Sequence, residues 1–265
     1  MIRQSRWVGP ILLIAAILAA WEIAVRATNT PRWLLPTPSA VFQTLVEDRD
    51  ILLPNALVTL YEVALGFGCA VILGVGLGIA VYRSPTLSRV FYPIIIGSQT
   101  IPVPALAPLL LVWFGIGLLP KIIVTALVGF FPIVVNTVEG LRATDRDVIN
   151  LLRSFGASRG TVFRLAEFPS SLPFIFAGAR IAVAICVIGA VFGELVGARA
   201  GLGYLMTRAM AQFETPRLVA AILLLSLMGT GLFAAVGLVE SALLPWRKYT
   251  AVRGHMERDG AETES

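Results

Sequence analysis

Apolar residues fall into six long blocks, at about 8–25, 58–82, 91–114, 119–138, 175–197 and 218–243, separated by stretches where charge and turn residues collect. A helix needs about 20 mainly apolar residues to cross a bilayer, and the blocks are of that order. The pattern predicts an all-α integral membrane protein with about six transmembrane helices in a single domain, 1–265, because no intervening stretch is long enough for a separate soluble domain.

The most polar interval, 139–173, reads EGLRATDRDVINLLRSFGASRGTVFRLAEFPSSLP and sets Arg142, Arg146, Arg153, Arg159 and Arg164 against Glu139, Asp145, Asp147 and Glu167. Such a segment has to sit in water. Thr144 and Asp147 suit a capping box, and Val148, Leu151, Leu152 and Phe155 follow at helical spacing. Gly156 offers a stop. Ser158 is placed to cap a second short helix carrying Val162, Phe163, Leu165 and Ala166, which the residue before Pro169 should end. The expectation is a helix–glycine–helix knob at the water side of a membrane, shaped to dock on something.

Two blocks carry unusual punctuation. Block 58–82 holds Gly66, Gly68, Gly74, Gly76 and Gly78, of which Gly74 and Gly78 allow close helix approach; Glu62 stands near its end, solvated or paired. Block 91–114 holds Pro93, Pro102, Pro104 and Pro108 with Gln99 and Thr100 at its middle, so this helix should be bent or broken. Membrane backbone tolerates a break only where neighbours or a water-lined cavity satisfy the freed carbonyls. Gln99, Thr100, Pro102 and Pro104 are therefore candidates for a translocation path or gate, a kinked packing helix being the alternative. Glu194 joins them as a candidate, standing in a face of Gly189, Gly193 and Gly197 that suits another helix or a second copy of the chain. A short helix is expected from Pro38 or Ser39, and a surface-lying one within 198–217.

Composition agrees: 57% apolar, 14% charged and a mean hydropathy of +0.84 lie far outside soluble norms. The net charge of +5 would suit nucleic acid on one soluble face, but position argues otherwise. With the N-terminus inside, thirteen basic residues fall on the cytoplasmic side and seven outside, which favours both termini and the 139–173 loop in the cytoplasm and excludes a nucleic-acid partner. The first block is expected to be a retained membrane helix rather than a cleaved signal. Cys69 and Cys186 lie in apolar runs and suggest no disulfide framework.

Candidate chemistry is sparse. His255, in the polar tail, is the single histidine, so zinc and histidine acid–base sites have almost no material. The two lysines, Lys121 and Lys248, both lack the glycine-rich run and following hydroxyl of a P-loop. No catalytic or metal site is expected, and if transport is driven by ATP the nucleotide must bind another polypeptide.

The spacing of Gly156, Ala166, Phe168 and Pro169 resembles the EAA loop of ABC importer permeases, the naming triplet falling on Asn150, Leu151 and Leu152. The Gly156-Ala157-Ser158 step ahead of Pro169 and Pro173, the run QTIPVPALAPLLLVWFGIG (Gln99 to Gly117) and the run GELVGARAGLGYLM (Gly193 to Met206) are similar to the nitrate, sulfonate and taurine branch, including members for the thiamine pyrimidine precursor or riboflavin; the likeness covers roughly the last two thirds of the chain. The resemblance implies a type I ABC importer permease in the cytoplasmic membrane. It would work by alternating access as a non-catalytic subunit, binding no cofactor itself. ATP and Mg would sit on two partner ATPase subunits, with a second copy of the chain and an extracytoplasmic solute-binding protein as further partners. It places ATPase coupling on Asn150, Leu151, Arg153, Gly156, Ala157, Ser158 and Pro169. The alternative is an ion-gradient-driven secondary transporter, which would show inverted repeats and midplane ionisable groups; a membrane enzyme would need catalytic clusters.

Overall fold

The computed structural model describes residues 5–98 and 100–245, and among them every regular element is helical: α1 (Ser5–Ala27), α2 (Pro38–Glu47), α3 (Arg49–Arg83), α4 (Pro85–Ser98), α5 (Val103–Phe114), α6 (Leu118–Arg142), α7 (Arg146–Ser154), α8 (Arg159–Val162), a π-helical turn (Phe163–Glu167), α9 (Phe168–Leu195), α10 (Leu202–Ala211) and α11 (Thr215–Leu243). Five segments are long and apolar enough to cross a membrane: 8–27, 49–83, 118–142, 159–195 and 215–243. At 1.5 Å per residue the 35 residues of α3 reach about 52 Å, so its ends project beyond a hydrocarbon layer of about 30 Å. The expected span at 91–114 is two helices rather than one. Pro102 and Pro104 have no N–H to carry the ladder across 99–103, and the amide and hydroxyl of Thr100 both fold back onto the Gly97 carbonyl, at 3.1 and 2.7 Å.

Helix α6 is the spine of the bundle, with α3 parallel on one side and α9 antiparallel on the other. Lipid offers no hydrophobic drive between helices, so they are held by close packing, and glycine permits it. A Cβ at Gly74 or Gly78 of α3 would sit 2.8 Å from Ile133 or 2.7 Å from Thr137 of α6; one at Gly178 of α9 would sit 2.8 Å from both Asn136 Cβ and the Pro132 carbonyl. The Gly189–Gly193 face is likewise occupied by α6, since a Cβ at Gly193 would lie 3.2 Å from Lys121 Cα. Helix α11 lies on α9, tied by Arg180 to Glu240 at 2.5 Å.

The two ends of the bundle differ. At one end α3, α6 and α9 meet the α7–α8 knob. At the far end α2, the start of α3, α10 and the start of α11 share a small core of Val41, Leu52, Leu202, Leu205, Ala220 and Ala221. Helix α2 starts at Pro38 beneath a Thr37 cap, and its Ser39 amide and hydroxyl donate to Glu22 of α1 at 3.0 and 2.8 Å. Arg217 joins the start of α11 to Asp48 at 2.7 Å.

Candidate functional site

The knob is built almost as its sequence spells it, with two corrections. The cap of α7 is Asp145, whose carboxylate accepts the Asp147 amide at 2.8 Å; Thr144 instead is buried and donates to the Leu141 carbonyl at 3.2 Å. Its hydroxyl serves the end of α6, one residue too early to cap α7. Gly156 ends α7 at φ +79°, with Gly156 N–H on Arg153 O at 2.9 Å and Ala157 N–H on Leu152 O at 3.1 Å, the paired bonds of a Schellman stop. Ser158 caps α8 by accepting the Thr161 amide at 3.2 Å.

The second correction concerns Pro169. The helix does not end before it. The Phe168 amide reaches Phe163 O, five residues back, and Phe168 keeps helical angles (φ −68°, ψ −46°). This single π turn widens the helix where proline withholds a donor, so α8, the turn and α9 run on as one rod from Arg159 to Leu195.

The rod is anchored to the bundle by buried Val162 and Ala166 and by the Arg83 guanidinium 4.3 Å over the Phe163 ring. Helix α7, by contrast, buries none of its residues. Leu151 is 57% and Phe155 81% exposed, with Val148 and Leu165 also bare. Asn150, Leu151 and Arg153 therefore lie on a free helix, and Gly156, Ala157 and Ser158 form its elbow. No other described part of the chain covers this apolar strip, which makes it a candidate docking surface.

The 97–108 candidates divide. Thr100 and Pro102 are exposed, while Gln99 and the side chain of Pro104 lie outside the described residues. Glu194 has its described partners elsewhere. It is buried at the far end, where its Oε1 accepts the Thr59 hydroxyl at 2.7 Å and its Oε2 the Gly203 amide at 2.5 Å. Thr59 in turn accepts the Leu202 amide at 2.8 Å, and Asn55 Oδ1 accepts Gly201 N–H at 2.8 Å.

Beside this clasp Lys121 Nζ sits 2.6 Å from Glu62 Oε1, the two side chains only 11% and 2% exposed. Glu62 is thus paired, not solvated. Its other oxygen is buried without a donor. Two acids and one ammonium make this the densest buried charge cluster of the described chain. Sequence reasoning singled out both acids but missed Asn55, Thr59, Lys121, Gly201 and Gly203; the G-L-G step at 201–203, a few residues after the acid near the end of a membrane helix, was the available signal.

Comparison with known proteins places this geometry. Residues 70–244 match the family model described as binding-protein-dependent transport system inner membrane component. The chain is 39% identical over 249 residues to the formylaminopyrimidine transport permease protein ThiX of Halalkalibacterium halodurans, covering 94% of this chain and 99% of that protein. It is 36% identical over 251 residues to the riboflavin transport system permease protein RibX of Chloroflexus aurantiacus, with 92% and 93% covered. Among solved structures, an inward-facing conformation of the MetNI methionine ABC transporter superposes with a TM-score of 0.59 at 22% identity, over 72% of this chain and 98% of that one, a likeness of fold.

Proposed function

The chain belongs to the family of binding-protein-dependent transport system inner membrane components and is an ABC importer permease; on that premise we propose that α7 and its glycine elbow are the part that feels ATP hydrolysis on a partner ATPase. The observation that carries this reading is the bare apolar strip of α7, with Phe155 81% exposed on an element that ends in a rigid elbow and continues into a membrane helix. Asn150, Leu151, Arg153, Gly156, Ala157 and Ser158 form the docking face, and Pro169 belongs to the continuous joint into α9. Two copies of the chain would carry two ATPases on their knobs in the cytoplasm, with ATP and Mg bound there. A solute-binding protein would deliver substrate at the far end, and both termini would lie inside.

An ATPase that closes on nucleotide contacts the knob differently in its two states, and this difference in contact free energy is what shifts a permease from inward-facing to outward-facing. Thr100 and Pro102, at the break between α4 and α5, remain our candidates for the path or gate, together with Gln99 and Pro104. For the solute we propose a small nitrogen heterocycle of the vitamin-precursor kind, supported by the names of the two relatives, formylaminopyrimidine and riboflavin permeases, at 39% and 36% identity.

The test is the mass and composition of the complex purified from native membranes in mild detergent, followed by reconstitution. Two copies with two ATPases, and uptake of a formylaminopyrimidine or riboflavin probe that stops on ATP depletion, are expected. Uptake that survives ATP depletion but collapses with the ion gradient would replace this reading by a secondary transporter. Gly156→Pro, which cannot adopt the φ of +79°, should insert normally and lose substrate-stimulated ATP hydrolysis; normal coupling in it would sink the docking role.

A further inference from the structure

The first amides of a helix have no partner within it and must be satisfied by something else. At the start of α10 the partners come from two other helices: Asn55 and Thr59 of α3 take Gly201 and Leu202, and Glu194, next to last in α9, takes Gly203. The Thr59 hydroxyl closes the ring by donating to the remaining Glu194 oxygen. The joint is enclosed, with Thr59 and Leu202 fully buried, Glu194 1% exposed and Asn55 half-buried at its edge. It also explains the glycines. A Cβ at Gly203 would lie 2.9 Å from Glu194 Cβ, and one at Gly201, where φ is +115°, would run into the Glu194 carboxylate; only bare backbone lets the carboxylate reach the amides.

We propose that Glu194 is a positioning residue that fixes α10 to α9, so that the far-end helix and the knob are the two ends of one lever. Helix α9 continues unbroken into the knob's anchor, and its 28 residues reach about 42 Å at 1.5 Å per residue. With Glu194 Oε1 on the Thr59 hydroxyl and Oε2 on the Gly203 amide, the joint is directional and stiff. The apolar cluster that α10 shares with Val41 of α2, Leu52 of α3 and Ala220 and Ala221 of α11 has no directional bonds, the Glu214 amide holding the Ala209 carbonyl only where α10 ends, and it is where sliding occurs. A displacement delivered at the cytoplasmic knob is therefore carried by α9 to α10 and appears as movement of α10 over α11. The direction of this transmission rests on the function proposed above; the joint itself does not.

Hydrogen exchange followed by mass spectrometry on the complex tests the joint. The amides of 201–203 should exchange slowly, and equally so without nucleotide and when trapped with ATP and vanadate. In Glu194→Ala, exchange in 201–205 should rise at least tenfold while peptides of α7 are unchanged. Thr59→Val, which keeps the side-chain shape, should give a smaller rise centred on Leu202. Fast exchange in the trapped state of the parent, or slow exchange in Glu194→Ala, would overturn the fixed joint.

For transmission, Met210→Cys on the exposed face of α10, in a Cys69→Ser background, is labelled with a membrane-impermeant maleimide. Trapping should change the rate at least threefold, and adding Glu194→Ala should abolish that change while ATP hydrolysis continues. A rate indifferent to trapping, or one that still responds in Glu194→Ala, would overturn the lever. The nucleotide-free exchange comparison needs no ATPase, so a chain that purifies alone would refute the proposed coupling and still leave the joint decided.

Discussion

The two ends of this bundle invert the usual arrangement in opposite ways. At the knob, apolar side chains stand in water: Leu151 and Phe155 are exposed and α7 buries nothing. At the far end ionisable side chains stand in the interior: Glu62 and Glu194 are buried and Lys121 nearly so, among α3, α6, α9 and α10. An exposed apolar strip gains by being covered, and so marks a contact yet to be made. A buried charge is tolerable only when its main partner is already in place, as Lys121 is for Glu62, and so marks a contact already made. On the proposed function, one end meets something that comes and goes, while the other does not let go.

Substitutions that break this contrast should differ most in what they do to the isolated chain. The largest effect is expected for Lys121→Met, which leaves Glu62 buried without its cation and should cost about 3–5 kcal/mol, read as a sharp fall in unfolding temperature by fluorescence-detected size exclusion. Adding Glu62→Gln should recover most of that loss, because two neutral groups need no ion pair; failure to recover would mean that Lys121 serves some other group. Gly156→Ala should cost about 1–2 kcal/mol from forcing an L-residue into the left-handed region, with no steric component, since a Cβ there meets nothing within 4 Å. The smallest effect on stability belongs to Phe155→Ala, within about 0.5 kcal/mol. Yet if the strip is a docking anchor, the same change should weaken ATPase retention by about 2 kcal/mol, roughly thirtyfold, measured by binding of the ATPase to permease in nanodiscs. A stable variant that still binds normally would erase the difference between the two ends.

The knob was legible because everything that makes it is local. Val148, Leu151, Leu152 and Phe155 announce a helix within eight residues, and Gly156 and Ser158 supply its stop and the next cap. The far-end joint was not, because Thr59 meets Glu194 across 135 positions and Lys121 meets Glu62 across 59; side-chain type marked the two acids as unusual but could not pair them. Block 91–114 was readable as broken from Pro102 and Pro104, though not as two separate helices. Pro169 misled for a physical reason: the rule that proline ends the preceding helix assumes an α ladder, and the Phe163–Phe168 bond is not part of one. The glycines of α9 were read correctly as a packing face, while the choice of α6 as the neighbour needed the fold.

The π turn at Phe163–Glu167 also sets the azimuth of the knob. A helix advances about 100° per residue, and a π turn amounts to one residue more than an α ladder would use. Everything upstream of it is thereby phased about 100° around the axis of α9. Deleting a single residue within 163–167 would restore a regular helix and keep every membrane contact of α9 from Ser171 onward, yet it would turn Phe155 and Leu151 about a quarter-turn away from where they now point. The aim of the docking face is thus held in a one-residue insertion, a feature that helix length and apolar content leave invisible.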